Sequence, residues 1–98
     1  MNKAPNLRRD DRMYEAILTL KDLDECKRFF SDLCTVTELL AMEQRFNVAS
    51  CLDDGMIYTD ILSETGASSA TISRVNRSLQ YGEGGYEIVF GRTKENRK

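Results

Sequence analysis

Residues 57–79, IYTDILSETGASSATISRVNRSL, constrain this chain more tightly than any other stretch. Gly66 stands between two runs of helical spacing, and glycine reaches the positive φ of a sharp turn without steric cost. Ala67 follows it. Ser68 then offers a hydroxyl that caps a helix by accepting a bond from an orphaned backbone N–H. Beyond the cap Ile72, Val75 and Leu79 recur at i, i+3 and i+7, so they share one face and pack inward. With Ile61 and Leu62 on the preceding helix, the pattern predicts a helix-turn-helix. Leu62 is the irregular position, because four residues before the turn glycine such motifs often carry alanine where the two helices come close.

The opposite face of the second helix has a different chemistry. Ala70, Ser73, Arg74 and Arg77 fall on it, with Ser69 at its N-terminal flank, and no acid interrupts them. Small side chains let a backbone approach base edges, the hydroxyls of Ser69, Thr71 and Ser73 donate or accept, and arginine reaches guanine or phosphate. An ordinary helical hairpin with solvated serines would use the same residue types. The coincidence of turn glycine, cap, inward triplet and acid-free outer face favours a surface that reads double-stranded DNA.

Charge along the chain is uneven. The formal net charge is −2 and the pI is near 5.1, which excludes a protein basic throughout that would bind any polyanion. Residues 53–65 hold Asp53, Asp54, Asp60 and Glu64 and no base, whereas residues 66–82 hold Arg74 and Arg77 and no acid. After Phe90 come Arg92, Lys94, Arg97 and Lys98 against Glu95.

At 98 residues with 41% apolar side chains the chain is long enough for one domain and too short for two cores. Residues 1–9 are polar, include Pro5, and read as a flexible arm. Residues 10–90 read as the folded domain, and residues 91–98 as a basic tail. A first helix is expected from near Asp10, with Met13, Ile17 and Leu20 on its apolar stripe. A second starts at Asp22 with Glu25 three residues on, a capping-box spacing, and carries Leu23, Cys26, Phe29, Phe30 and Leu33. A third runs from about Thr37 to a stop at Asp53-Asp54-Gly55. These helices are apolar over wider faces than one small monomer needs, so a second copy of the chain is the expected cover. Gly82, Gly84 and Gly85 break the helix that precedes them. Residues 86–90, in which Tyr86, Ile88 and Phe90 alternate, fit either a short strand or a last helix starting near Gly85.

The run TGAS-x-ATISRVNR-x-L-x-YG, together with FFSDLCTVTELLAMEQRF, resembles the Trp repressor family, and in particular Trp repressor-like proteins of the YerC/YecD type, over residues 12 to 90. The resemblance implies an all-α domain with a C-terminal helix-turn-helix, an intertwined homodimer, and transcriptional control through operator binding. It places Tyr58 and Thr59 near phosphates or base edges, and Ser69, Ala70 and Ser73 toward the major groove. The expected DNA-binding set, from residues and resemblance together, is Tyr58, Thr59, Ser68, Ser69, Ala70, Thr71, Ser73, Arg74 and Arg77. The family's amino-acid pocket is altered: Gln44 stands where the Trp repressor has an arginine, and Val75 where it has a glycine that leaves room for the indole. Arg74 and Ser78 remain, but no tryptophan corepressor is expected.

No catalytic residue, cofactor or metal is expected. There is no histidine, and Cys26, Cys34 and Cys51 have neither zinc-ligand spacing nor a basic partner, so they read as small, reduced core side chains. Asp53-Asp54 reads as a solvated helix end. No run of 18 apolar residues and no signal-peptide core is present, so the expected setting is cytoplasmic, away from membranes. A protein-interaction module on the same scaffold is the competing reading, supported by the acidic balance.

Overall fold

The computed structural model describes residues 9–96, and these divide into two units, one ending at Thr35 and one beginning at Val36. The described residues form six helices and no strand, as an all-α domain requires. Most of the expected arm at residues 1–9, and Arg97 and Lys98 of the expected tail, lie outside the described residues.

The first unit holds α1 (Arg12–Ile17) and α2 (Leu23–Leu33). The first helix is shorter than its apolar stripe suggested. Thr19 turns back on it, its Oγ1–H donating to Ala16 O at 2.6 Å and its N–H to the same carbonyl at 3.0 Å, so Leu20 lies past the helix end. This is a threonine hydroxyl competing with the helical ladder. The second helix opens as its spacing predicts. Asp22 Oδ1 accepts from Glu25 N–H at 2.8 Å, and Glu25 Oε1 reaches back to Lys21 N–H at 2.9 Å, one residue before the usual capping-box partner. Phe29 and Phe30 meet edge to face with ring centroids 5.5 Å apart. None of the residues of these two helices is fully buried.

The second unit is built on α3 (Val36–Asp53), followed by α4 (Tyr58–Thr65), α5 (Ser69–Tyr81) and α6 (Gly85–Asn96). The third helix ends where Gly55 does, at a φ of +84°. Met56 N–H reaches Cys51 O and Gly55 N–H reaches Leu52 O, both at 3.0 Å, the paired bonds of a Schellman stop. Its inner residues Val48 and Ala49 are sealed from water with Ile61 of α4, Ala67 of the turn, Ile72 and Val75 of α5, and Phe90 of α6. Leu79 completes the inward triplet at the edge of that core, where Cys51, Leu52, Met56 and Tyr86 also pack. Cys26, Cys34 and Cys51 are all half-buried rather than sealed, and Cys51 packs at the margin of the second unit's core.

Residues 86–90 form part of a helix, which settles the open choice at the glycine cluster. Gly84 turns with a φ of +82°, and Ile88 N–H donates to Gly84 O at 3.1 Å to start α6. Tyr86 and Phe90, four apart, stack with centroids 5.8 Å apart, and Phe46 of α3 meets Phe90 at 5.4 Å, whereas Ile88 stays exposed. A strand would have put all three residues on one side. Lys94 of α6 pairs with Asp53 at the end of α3, so the helix continues through the first residues of the expected tail.

Gly66 gives the sharpest test of this architecture. Its φ of +71° belongs to the left-handed region, and a Cβ added there would meet nothing within 4 Å, so any cost of substitution is a backbone cost alone. Gly66→Ala should lower unfolding stability by about 1–2 kcal/mol, and Gly66→Asn by less, because asparagine tolerates that region. The readout is a shift in denaturant midpoint at unchanged slope.

Candidate nucleic-acid interface

The turn between α4 and α5 satisfies its backbone groups by a short chain of bonds. Gly66 N–H donates to Leu62 O at 3.0 Å and ends α4 in a left-handed cap. Thr65 Oγ1–H donates to Ile61 O at 2.8 Å, and the same oxygen accepts from Ala67 N–H at 3.1 Å. From α3, the Gln44 side-chain amide donates its Nε2 to Thr65 O at 3.2 Å. Carbonyls at the end of a helix and amides at the start of the next are the groups left without helical partners, and Leu62 O, Thr65 O and the N–H groups of Gly66 and Ala67 find theirs in these bonds.

Ser68 then caps α5. Its Oγ accepts from Thr71 N–H at 3.1 Å and donates to Thr71 Oγ1 at 3.1 Å. Ser68 stays exposed and Thr71 is half-buried, so both hydroxyls belong first to the helix start. Beyond them Ile72 and Val75 turn into the core, which forces the rest of α5 outward by helical geometry. Ser69, Ala70, Ser73, Arg74 and Arg77 are all exposed and share that outer face. Tyr58 and Thr59 open α4 and are exposed as well, on the other helix of the pair. Leu62, the irregular position, points away from the crossing at 37% exposure. The close approach falls to Ile61 and Ala67, at 0% and 2%, which is why a leucine at 62 is tolerated.

The electrostatics follow the sequence. The three ion pairs seen among the described residues are Arg12–Asp10, Arg28–Asp24 and Lys94–Asp53, and none involves Arg74 or Arg77. Two unneutralised guanidinium groups therefore stand on a face without acids. Cys51 shows the opposite of an activated nucleophile. Burial, then the negative charges of Glu64 and Asp54, push its thiol above the usual cysteine range, which keeps it protonated at neutral pH. Among the described residues no helix is long and apolar enough to cross a membrane.

Two helices joined by a left-handed glycine, the second serine-capped and packed by one face with the other exposed, define a helix-turn-helix protein. The chain belongs to the Trp repressor family: that family, described as Trp repressor protein, matches residues 9–94. It is a regulatory family rather than an enzymatic one. YerC of Bacillus subtilis strain 168, described as uncharacterized, is 53% identical over 85 residues, which are 87% of this chain and 82% of YerC. A crystal structure of a TrpR-like protein from Eubacterium eligens ATCC 27750 shares 55% identity at a TM-score of 0.83, covering 86% of this chain and 87% of that one. A candidate Trp repressor from Staphylococcus aureus shares 48% at 0.82, covering 86% and 84%.

Gln44 and Thr65 lie outside the set of residues that the sequence predicts for the site. Thr65 directly precedes the turn glycine, a position where a hydroxyl serves helix termination, so it was open to local reasoning. Gln44 was not, because its partner lies 21 residues away and only the packing of α3 brings them together.

Proposed function

We propose that the chain is a sequence-specific DNA-binding regulator that acts as a repressor, with two copies each laying α5 into a major groove. The observation that carries this reading is the outer face of α5. Ser69, Ala70, Ser73, Arg74 and Arg77 are exposed together, acid-free and without internal ion pairs, on a helix whose roll is fixed from inside. Small residues at the N-terminal end admit close approach to base edges, Ser73 offers a hydroxyl, and Arg74 is placed to read a base. Arg77, a turn further on, takes phosphate. Tyr58 and Thr59 at the start of α4 take phosphate on the flank, and Ser68 and Thr71 contribute through the helix start that they hold. The setting is then the cytoplasm, where bacterial DNA is.

The dimer is part of the proposal. Val36, Leu39, Leu40, Ala41 and Met42 spread over a wide part of the first half of α3, and an apolar face that broad is covered when a helix is stable. Within one chain Val36 is 76% and Leu40 60% exposed, and Leu18, Leu23 and Leu33 of the first unit are exposed as well. A second copy covering these residues supplies the missing core and brings two reading helices to two half-sites. Tryptophan has no place in this scheme. Val75 sits in the core at 4% exposure where an indole would need space, and Gln44 is already engaged with Thr65. The acidic overall balance favours a second reading, a protein-interaction module on the same scaffold.

Sedimentation at micromolar concentration should show a dimer with no folded monomer, and a compact folded monomer would contradict the proposed cover. Duplexes selected from a random pool should bind with steep salt dependence. Arg77→Ala should weaken all duplexes alike and reduce the salt slope by about one per subunit. Arg74→Ala should cost about 1–3 kcal/mol per half-site and relax preference at one position. Added tryptophan should leave these affinities unchanged. A folded double variant that binds as tightly as the parent would bring the interaction-module reading forward.

A further inference from the structure

The bond from Gln44 to Thr65 joins α3, the longest helix of the second unit, to the turn that launches α5. Gln44 lies one helical turn before Val48, so its backbone is held by the sealed core. Its side chain is half-buried, at the edge of a shallow groove that it shares with Leu40, Asn47 and Thr65. Within α4, Ile61 O and Leu62 O are satisfied by Thr65 Oγ1–H and Gly66 N–H. Thr65 O points out of the helix end and is met from α3 by the amide Nε2, at a distance of ordinary hydrogen-bond strength.

The location of this bond matters more than its strength. The first core side chain of α5 is Ile72, a full turn after the Ser68 cap. Core packing therefore fixes the roll of α5 and, through Ala67, anchors one point of the turn, but Ser69 and Ala70 of the first turn are exposed and depend on whatever else holds the turn before them. We propose that Gln44 is a positioning residue that fixes the N-terminal end of the reading helix, so that the reading head is preorganised by a bond within the chain. This rests on the proposal that α5 reads DNA and adds to it the means by which that helix is aimed. Fixing the turn before binding lowers the ordering cost at the moment of contact and raises affinity without any new contact to DNA.

Two variants of the full chain test it. Gln44→Leu removes the donor at nearly constant size. Gln44→Glu keeps the shape but turns an acceptor-only carboxylate toward a carbonyl that also only accepts. Both should stay folded. Amide exchange at Gly66 and Ala67 should speed up about fivefold or more in each, relative to Ile72 and Val75, as a local opening does. Duplex affinity should fall about twofold to tenfold per subunit, the worth of one net hydrogen bond, with the salt slope unchanged because no phosphate contact is lost. In the Glu variant the relative protection should recover as pH falls and the carboxyl, raised above its ordinary value of about 4.3 by the carbonyl it faces, is protonated and donates again. Unchanged exchange at the turn in both variants would overturn the proposal. So would protection lost evenly across α3, α4 and α5, or a Glu variant blind to pH. If the parent chain binds no duplex, the DNA reading falls on its own, and the exchange and pH measurements still decide the role of Gln44.

Discussion

Ile72 and Val75 sit against Val48, Ala49, Ile61 and Ala67 in a core that excludes water almost entirely, and the roll of α5 about its axis follows from that contact. A helix has only one set of side chains on each face, so burying these two sends Ser69, Ala70, Ser73, Arg74 and Arg77 outward together. The turn geometry serves the same end. Gly66 supplies the left-handed residue that reverses the chain, and Ala67 is small enough to be sealed at the crossing. Removing either buried residue of α5 would cost the lost transfer energy and a cavity term, and would free the helix to rotate. The exposed chemistry of this protein is thus a consequence of its interior.

The charge distribution is read best on the same scale. A chain of net charge −2 is a poor generic ligand for a polyanion, yet the groups that face outward on α5 carry no acid and include Arg74 and Arg77. Acidic groups are placed elsewhere or neutralised locally: Asp53 by Lys94, Asp24 by Arg28. Asp10 is held below the usual carboxylate range, first by the Arg12 side chain and then by its backbone N–H. These exposed pairs add little stability. Under the proposed function, this balance would disfavour indiscriminate binding and leave attraction to one face. Such an arrangement suits discrimination between sequences better than bulk affinity.

Much of this was legible in the residues because the governing signals are local. The Asp22–Glu25 spacing, the Gly55 stop, the Gly66 turn, the Ser68 cap and the inward triplet each express physics that acts within a helical turn or two, and each is present. The all-helical fold and the family were legible for the same reason, since TGASSATISRVNR is a dense run of such signals. Other features were not, because longer-range or competing interactions decide them. Thr19 shortens α1 by capturing Ala16 O, a competition that hydrophobic periodicity does not register. The alternation of Tyr86, Ile88 and Phe90 is compatible with a strand until Phe46 arrives from α3 to pair with two of them. Gln44 was noted only as a departure from an arginine, whereas its bond partner is fixed by the packing of two helices.

The account stands or falls on α5 lying in the major groove, and interference footprinting with dimethyl sulfate on a selected duplex tests that most directly. Methylation of guanine N7 lies in the major groove and that of adenine N3 in the minor groove. The account predicts that N7 methylation within two half-sites, about one helical turn apart, abolishes binding, while N3 methylation between them does not. Binding that ignores N7 methylation everywhere on the duplex would contradict it.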